Sequence, residues 1–124
     1  MKTDLSQIRE ALVSSFDKHL PPLKVKKSSF ECFEVAGTKK VMQGKQLVDG
    51  FYFASVVPKP KDIRLYFFPI YTHVDAFKDL SDEMRKCLKG KSCFHIKKLS
   101  EEMEKEFQEM IATGVKLYLR DGFI

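Results

Sequence analysis

Helical periodicity at both ends of the chain, with a two-residue period between them, constrains the fold more than any other feature. Leu5, Ile8, Leu12, Phe16 and Leu20 recur at steps of three and four, the spacing of one face of an amphipathic helix, with Thr3 expected as N-cap and Pro21-Pro22 as the stop. At the other end Ser100 is the expected cap of a second helix, with Glu101 and Glu102 in the first turn, where the helix dipole favours acids. Met103, Phe107, Met110, Ile111, Val115 and Tyr118 form its apolar stripe, and Gly114 within that stripe marks a close approach to the sheet.

Between the helices run FECFEVAG, KKVMQGKQL, FYFASVV and IRLYFFP, broken at Gly37, Gly44, Asp49-Gly50 and Pro58-Lys-Pro60. Each run is expected to be one strand. In FYFASVV strict alternation puts Phe51, Phe53, Ser55 and Val57 on one face and Tyr52, Ala54 and Val56 on the other. Ser81 then starts a short helix that buries Met84, Cys87 and Leu88 and is closed by Gly90, and a further strand runs from Ser92 to Lys97. Strands grouped together, with helices at the ends, predict an α+β fold. Two layers are expected: an antiparallel sheet of about five strands, packed by the N-terminal and C-terminal helices plus the short one. No repeat or long linker divides the chain, so residues 1–124 form a single domain on this reading.

Composition narrows the function classes. A chain of 14.4 kDa folded as one body exposes roughly 7,000 Å². Its longest apolar run, LYFFPIY, is too short to cross a bilayer, so no membrane partner is expected. Cys32, Cys87 and Cys93 are odd in number and lack CxxC spacing, as suits free thiols in a cytoplasmic protein. The net charge of +5 permits attraction to anions. Most of the lysines are spread between residues 24 and 98, whereas Glu101, Glu102, Glu104, Glu106 and Glu109 gather in the tail. That acidic tail, only four arginines and no RNA-binding signature speak against a nucleic-acid partner.

The segment LKGKSCFHIKKLS, residues 88–100, concentrates reactive side chains. On its strand Cys93 and His95 share a face, with Phe94 and Ile96 turned to the helices. A nucleophilic thiol needs a depressed pKa, a base and oxyanion donors. Cys93 and His95 supply half of that set, and no catalytic residue is assigned. Cys87, Cys93 and His95, even with His73, do not follow a familiar zinc spacing. What remains is binding. Tyr66, His73, Lys91, Cys93 and His95 are the polar groups expected to meet a small organic or anionic ligand, beside an aromatic-rich sheet. The chain is thus expected to be a non-catalytic binding domain.

The segments DGFYFASVV, YFFPIYTH and LKGKSCFHIKKLS, leading into a terminal helix that ends in LYLRDGF, resemble the YdhG-like family of bacterial domains of unknown function over roughly residues 28 to 124. The resemblance implies a small α+β domain with an antiparallel sheet and brings no enzymatic activity. Some relatives are described as frataxin-like iron chaperones, which implies iron as a cofactor or cargo held by Glu102, Glu106 and Glu109 at helical spacing. The chain departs from that pattern in its first helix, whose only acids are Asp4, Glu10 and Asp17. Monomer and homodimer both fit, since an edge strand can pair two copies.

Overall fold

The two-residue period closes into a five-stranded antiparallel sheet in the computed structural model, which describes residues 1–124. Its strands are β1 (Lys24–Ser28), β2 (Phe33–Ala36), β5 (Tyr52–Pro58), β6 (Ile63–Phe67) and β7 (Cys93–Ile96), in the order β1-β2-β5-β6-β7. Two further strands, β3 (Lys40–Gln43) and β4 (Gln46–Asp49), form a separate hairpin. The helices are α1 (Leu5–Ser14), α2 (Pro69–Thr72), α3 (Asp82–Cys87) and α4 (Glu101–Arg120). The α+β architecture is therefore as expected.

Several boundaries differ. Asp4, not Thr3, caps α1, its Oδ1 accepting from the Gln7 N–H at 3.2 Å, and the helix ends at Ser14 so that Phe16 enters the core from the following turn. The segment KKVMQGKQL is not one strand but folds back on itself at Gly44-Lys45, with Val41 opposite Val48 and Met42 opposite Leu47. The fifth strand of the main sheet is instead β1, whose sequence KVKKS carries almost no apolar alternation because four of its five residues are exposed at an edge.

The core lies on one face of the sheet, under α1 and α4. Strands β2, β5, β6 and β7 send residues into it: Val56, Leu65 and Phe94 form one row across β5, β6 and β7, and Ile63 pairs with Ile96. The whole expected stripe of α4 is buried against them. Phe16 and Phe67 each meet Phe107 edge-on, with ring centroids 5.6 and 6.1 Å apart, the geometry that aromatic quadrupoles favour.

β5 breaks the strict alternation. Ala36 pairs with Tyr52 and Val35 with Ala54, so Phe53 is an extra residue in the ladder, a β-bulge. Phe53 and Ala54 are both fully buried, while Tyr52 and Ser55 come to the same outer face and share a hydrogen bond of 2.7 Å. Room for the Phe53 ring is made by α4. A Cβ on Gly114 would stand 3.1 Å from that ring and 3.0 Å from Pro69, so the close approach expected at Gly114 is present.

Candidate functional site

The five residues expected to share a ligand are placed in three separate regions. Tyr66, Cys93 and His95 lie on the sheet face away from the helices, where no layer covers them and each is half-buried. Register pairs Tyr66 with Cys93 and Arg64 with His95. Cys93 and His95 therefore each face a partner on β6, and no contact between the two is formed. The polar neighbour of the Cys93 thiol is the Tyr66 hydroxyl, and burial pushes the thiol above its ordinary range. Such a thiol is a poor nucleophile at neutral pH. His95 Nδ1 lies 3.8 Å from the buried Asp62 carboxylate, whose other oxygen accepts from Arg64 Nε at 2.8 Å.

The expected aromatic pocket is also taken apart. Phe51, Phe53 and Phe67 belong to the core beneath the helices, Tyr52 and Tyr66 stand on the open face, and Phe68 stacks on Tyr71 at 5.5 Å. Shared sequence neighbourhood does not survive the opposite faces of a strand.

His73 lies at the end of α2. Its Nε2 is 2.6 Å from Asp121 Oδ2 and its Nδ1 is 2.8 Å from Thr72 Oγ1, which in turn is 3.2 Å from the Tyr118 hydroxyl. A carboxylate, an imidazole and a hydroxyl in series have the outline of a nucleophile triad. Here the hydroxyl is shared with Tyr118 and the Pro69 carbonyl, and Phe123 packs on Phe51 and Tyr118. The series fastens the segment after α4 to α2.

The three glutamates expected to hold iron stay on α4. Glu106 is occupied by Ser81, accepting from its N–H at 2.8 Å and its hydroxyl at 2.6 Å. Glu102 and Glu109 are exposed, and no three His, Cys, Asp or Glu side chains come together in a metal-holding group.

Lys91 has the most suggestive surroundings. It borders a cavity of about 530 Å³ whose apolar walls are Ile70, Tyr71, Val74, Phe77 and Leu88, and whose cations are Lys78, Arg85 and Lys91. No carboxylate lines it. Local sequence builds this place simply. Pro69 starts α2, a 3-10 turn over Val74–Phe77 follows, and the outer edges of the core residues Ile70 and Phe77, with the exposed Tyr71 and Val74, form the apolar wall. Arg85, in α3, and Leu88, the extended residue that ends it, both line the cavity. Arg85 Nη2 donates to the carbonyls of Phe77 and Lys78 at 3.3 and 2.8 Å, which fixes the guanidinium while leaving other donors of its five-proton fork for a ligand. Lys91 reaches over the Tyr71 ring, 5.6 Å from its centroid. Sequence inspection missed Lys78, Arg85 and Val74. The closeness of Arg85 to Leu88 in the chain was the available signal.

Compared with known protein families, curated proteins and solved structures, the chain matches none. The resemblance to YdhG-like domains therefore rests on the quoted segments, and function has to be argued from the geometry.

Proposed function

We propose that this chain is a non-catalytic, cytoplasmic binding domain for a small organic anion, held in the cavity between α2, α3 and the Lys89-Gly90-Lys91 turn. The observation that carries the reading is the composition of that cavity: five apolar side chains and three cations, with no acid to neutralise them. A volume of about 530 Å³ falls within the usual range of small-molecule sites, which pair apolar walls with a few placed polar groups. An aromatic or aliphatic body would lie on Tyr71, Val74 and Leu88, and a carboxylate or sulfonate would meet Lys91 and Arg85. Support for the cytoplasmic setting is the state of the three cysteines, all free. In addition, no helix is long and apolar enough to cross a membrane.

The test is a fluorescence titration with anilinonaphthalene sulfonate, followed by competition with naphthoate. Saturable binding, weakened about tenfold by Lys91→Ala through loss of one charge-assisted contact and abolished by Val74→Glu, is the expected result. Binding that is indifferent to both substitutions would place the probe elsewhere and end this reading.

A further inference from the structure

α3 is a wall with a cavity on each side. Arg85 and Leu88 face the cavity described above, whereas Glu83, Lys86 and Cys87 face a second cavity of about 510 Å³. The turn that follows continues the division. Lys89 lines the second cavity and Lys91 the first, with Gly90 between them at φ +117°, a conformation that L side chains rarely adopt. The far wall of the second cavity is the outer edge of β7 and the residues after it, from which His95, Lys97 and Lys98 project.

The charges of this second cavity are unbalanced in a particular way. Lys86, Lys89, Lys97 and Lys98 converge on it, and none of the four makes an ion pair. Its two carboxylates already have partners: Asp62 takes the Arg64 guanidinium at 2.8 Å and Glu83 accepts from the Ser100 hydroxyl at 2.8 Å. Like charges gathered in a concave place repel one another and focus a positive potential. Four ammonium groups face one uncancelled carboxylate, Glu83, whose partner is a neutral hydroxyl, so positive charge is in excess there and an anion relieves it. A single carboxylate does not match four lysines, but a group with several acidic oxygens does. Lysine suits phosphate as a mobile point charge that can meet many oxygen arrangements. The apolar surface here is small, with Met103 and the Cys87 side chain as floor, so recognition would be of the charged group more than of any body attached to it.

We propose that this second cavity is a phosphate-binding site for a compact, multiply charged ligand such as a diphosphate ester, separate from the organic-anion cavity on the other side of α3. Lys89, from the turn after α3, and Lys98, from the residues after β7, are its principal cations, because they come from opposite walls of the cavity. His95 stands at the sheet end of the site as a further donor.

Titration of isotope-labelled protein with inorganic pyrophosphate, followed residue by residue by amide NMR, tests this. Saturable shifts confined to residues 86–89 and 95–98 are expected. Lys89→Ala/Lys98→Ala should weaken them by about tenfold or more, since each contact to a charged oxygen is strong, and Lys91→Ala should leave them unchanged. Both lysines of the double variant are exposed, so an unaltered amide spectrum before titration is expected and shows that the fold is kept. Shifts that do not saturate, that spread equally over the lysines of β1, or that ignore the double variant would overturn the proposal. So would retention on phosphatidylglycerol vesicles without any saturable response to pyrophosphate, which would make the lysines a lipid-surface contact. Because Lys91→Ala tests the first cavity and Lys89→Ala/Lys98→Ala the second, the two readings can fail independently.

Discussion

At the scale of single residues, the chemistry of the cysteines is set by burial. Desolvation disfavours the thiolate, and it is the largest influence on both Cys87 and Cys93. Their pKa values lie above the ordinary value of 9.0, with Glu83 adding to the rise at Cys87. Both groups therefore stay protonated at neutral pH. Site-resolved mass spectrometry after brief iodoacetamide treatment should find Cys87 and Cys93 almost unmodified at neutral pH, with modification rising only as pH passes 9.0. Rapid alkylation of Cys93 at neutral pH would revive the nucleophile that its sequence neighbourhood suggests. The same residues show how far a site can be read from a string. Lys91 was legible because a lysine next to a turn glycine has few places to go but the surface. Cys93 and His95 were correctly placed off the helix side by alternation alone. What alternation could not reveal is that His73 belongs with Asp121, 48 residues further along the chain.

At the scale of elements, periodic segments were legible and edge segments were not. α4 could be read because twenty residues of regular stripe bury six side chains and Gly114 on one face. β1 could not, because an edge strand exposed along most of its length needs no apolar alternation, and its three lysines blunt a free edge against pairing with another chain. The hairpin β3–β4 is hard to read as two strands because each of its arms is only four residues long, too short to show a period of its own. Gly114 offers the sharpest test at this scale. Ala in place of Gly gains about 1 kcal/mol in an open helix, but overpacking a filled core costs about 1–3 kcal/mol. With neighbours at 3.0 and 3.1 Å, overpacking should win. Urea unfolding of Gly114→Ala is expected to show a loss of about 1 kcal/mol. A gain of similar size would mean that α4 and β5 do not approach as closely as described.

At the scale of the whole molecule, the ends of the chain are fastened to its middle. Lys2 bridges to Leu99 through two backbone hydrogen bonds of 2.8 Å and its ammonium pairs with Glu104 at 3.0 Å. At the other terminus Asp121 holds His73, and Phe123 stacks on Phe51 with centroids 4.3 Å apart. The Arg120 guanidinium first, and His73 second, keep the Asp121 carboxyl down at about 2, below its ordinary 3.8. A depressed carboxyl stabilises the fold above its unfolded value and loses that contribution as pH falls through its folded one. The thermal midpoints of the parent and Asp121→Asn should therefore differ by a constant amount above pH 3.8 and converge as pH falls toward about 2. A gap that persists through that window would show that Asp121 acts through packing and not through its charge.

The bulge on β5 has a further consequence for which sequences this fold accepts. Phe53 is an insertion in the strand, and Gly114 is a missing side chain in the helix directly above it. The two are complementary volumes, and each makes sense only beside the other. Removing Phe53 would restore unbroken alternation from Phe51 to Val57 without moving any other residue to the wrong face, while opening a hole that a larger residue at 114 could fill. Positions 53 and 114 are therefore expected to trade size: a chain with a small residue or a deletion at the first should carry a side chain at the second, and one with an aromatic ring at the first should favour glycine there.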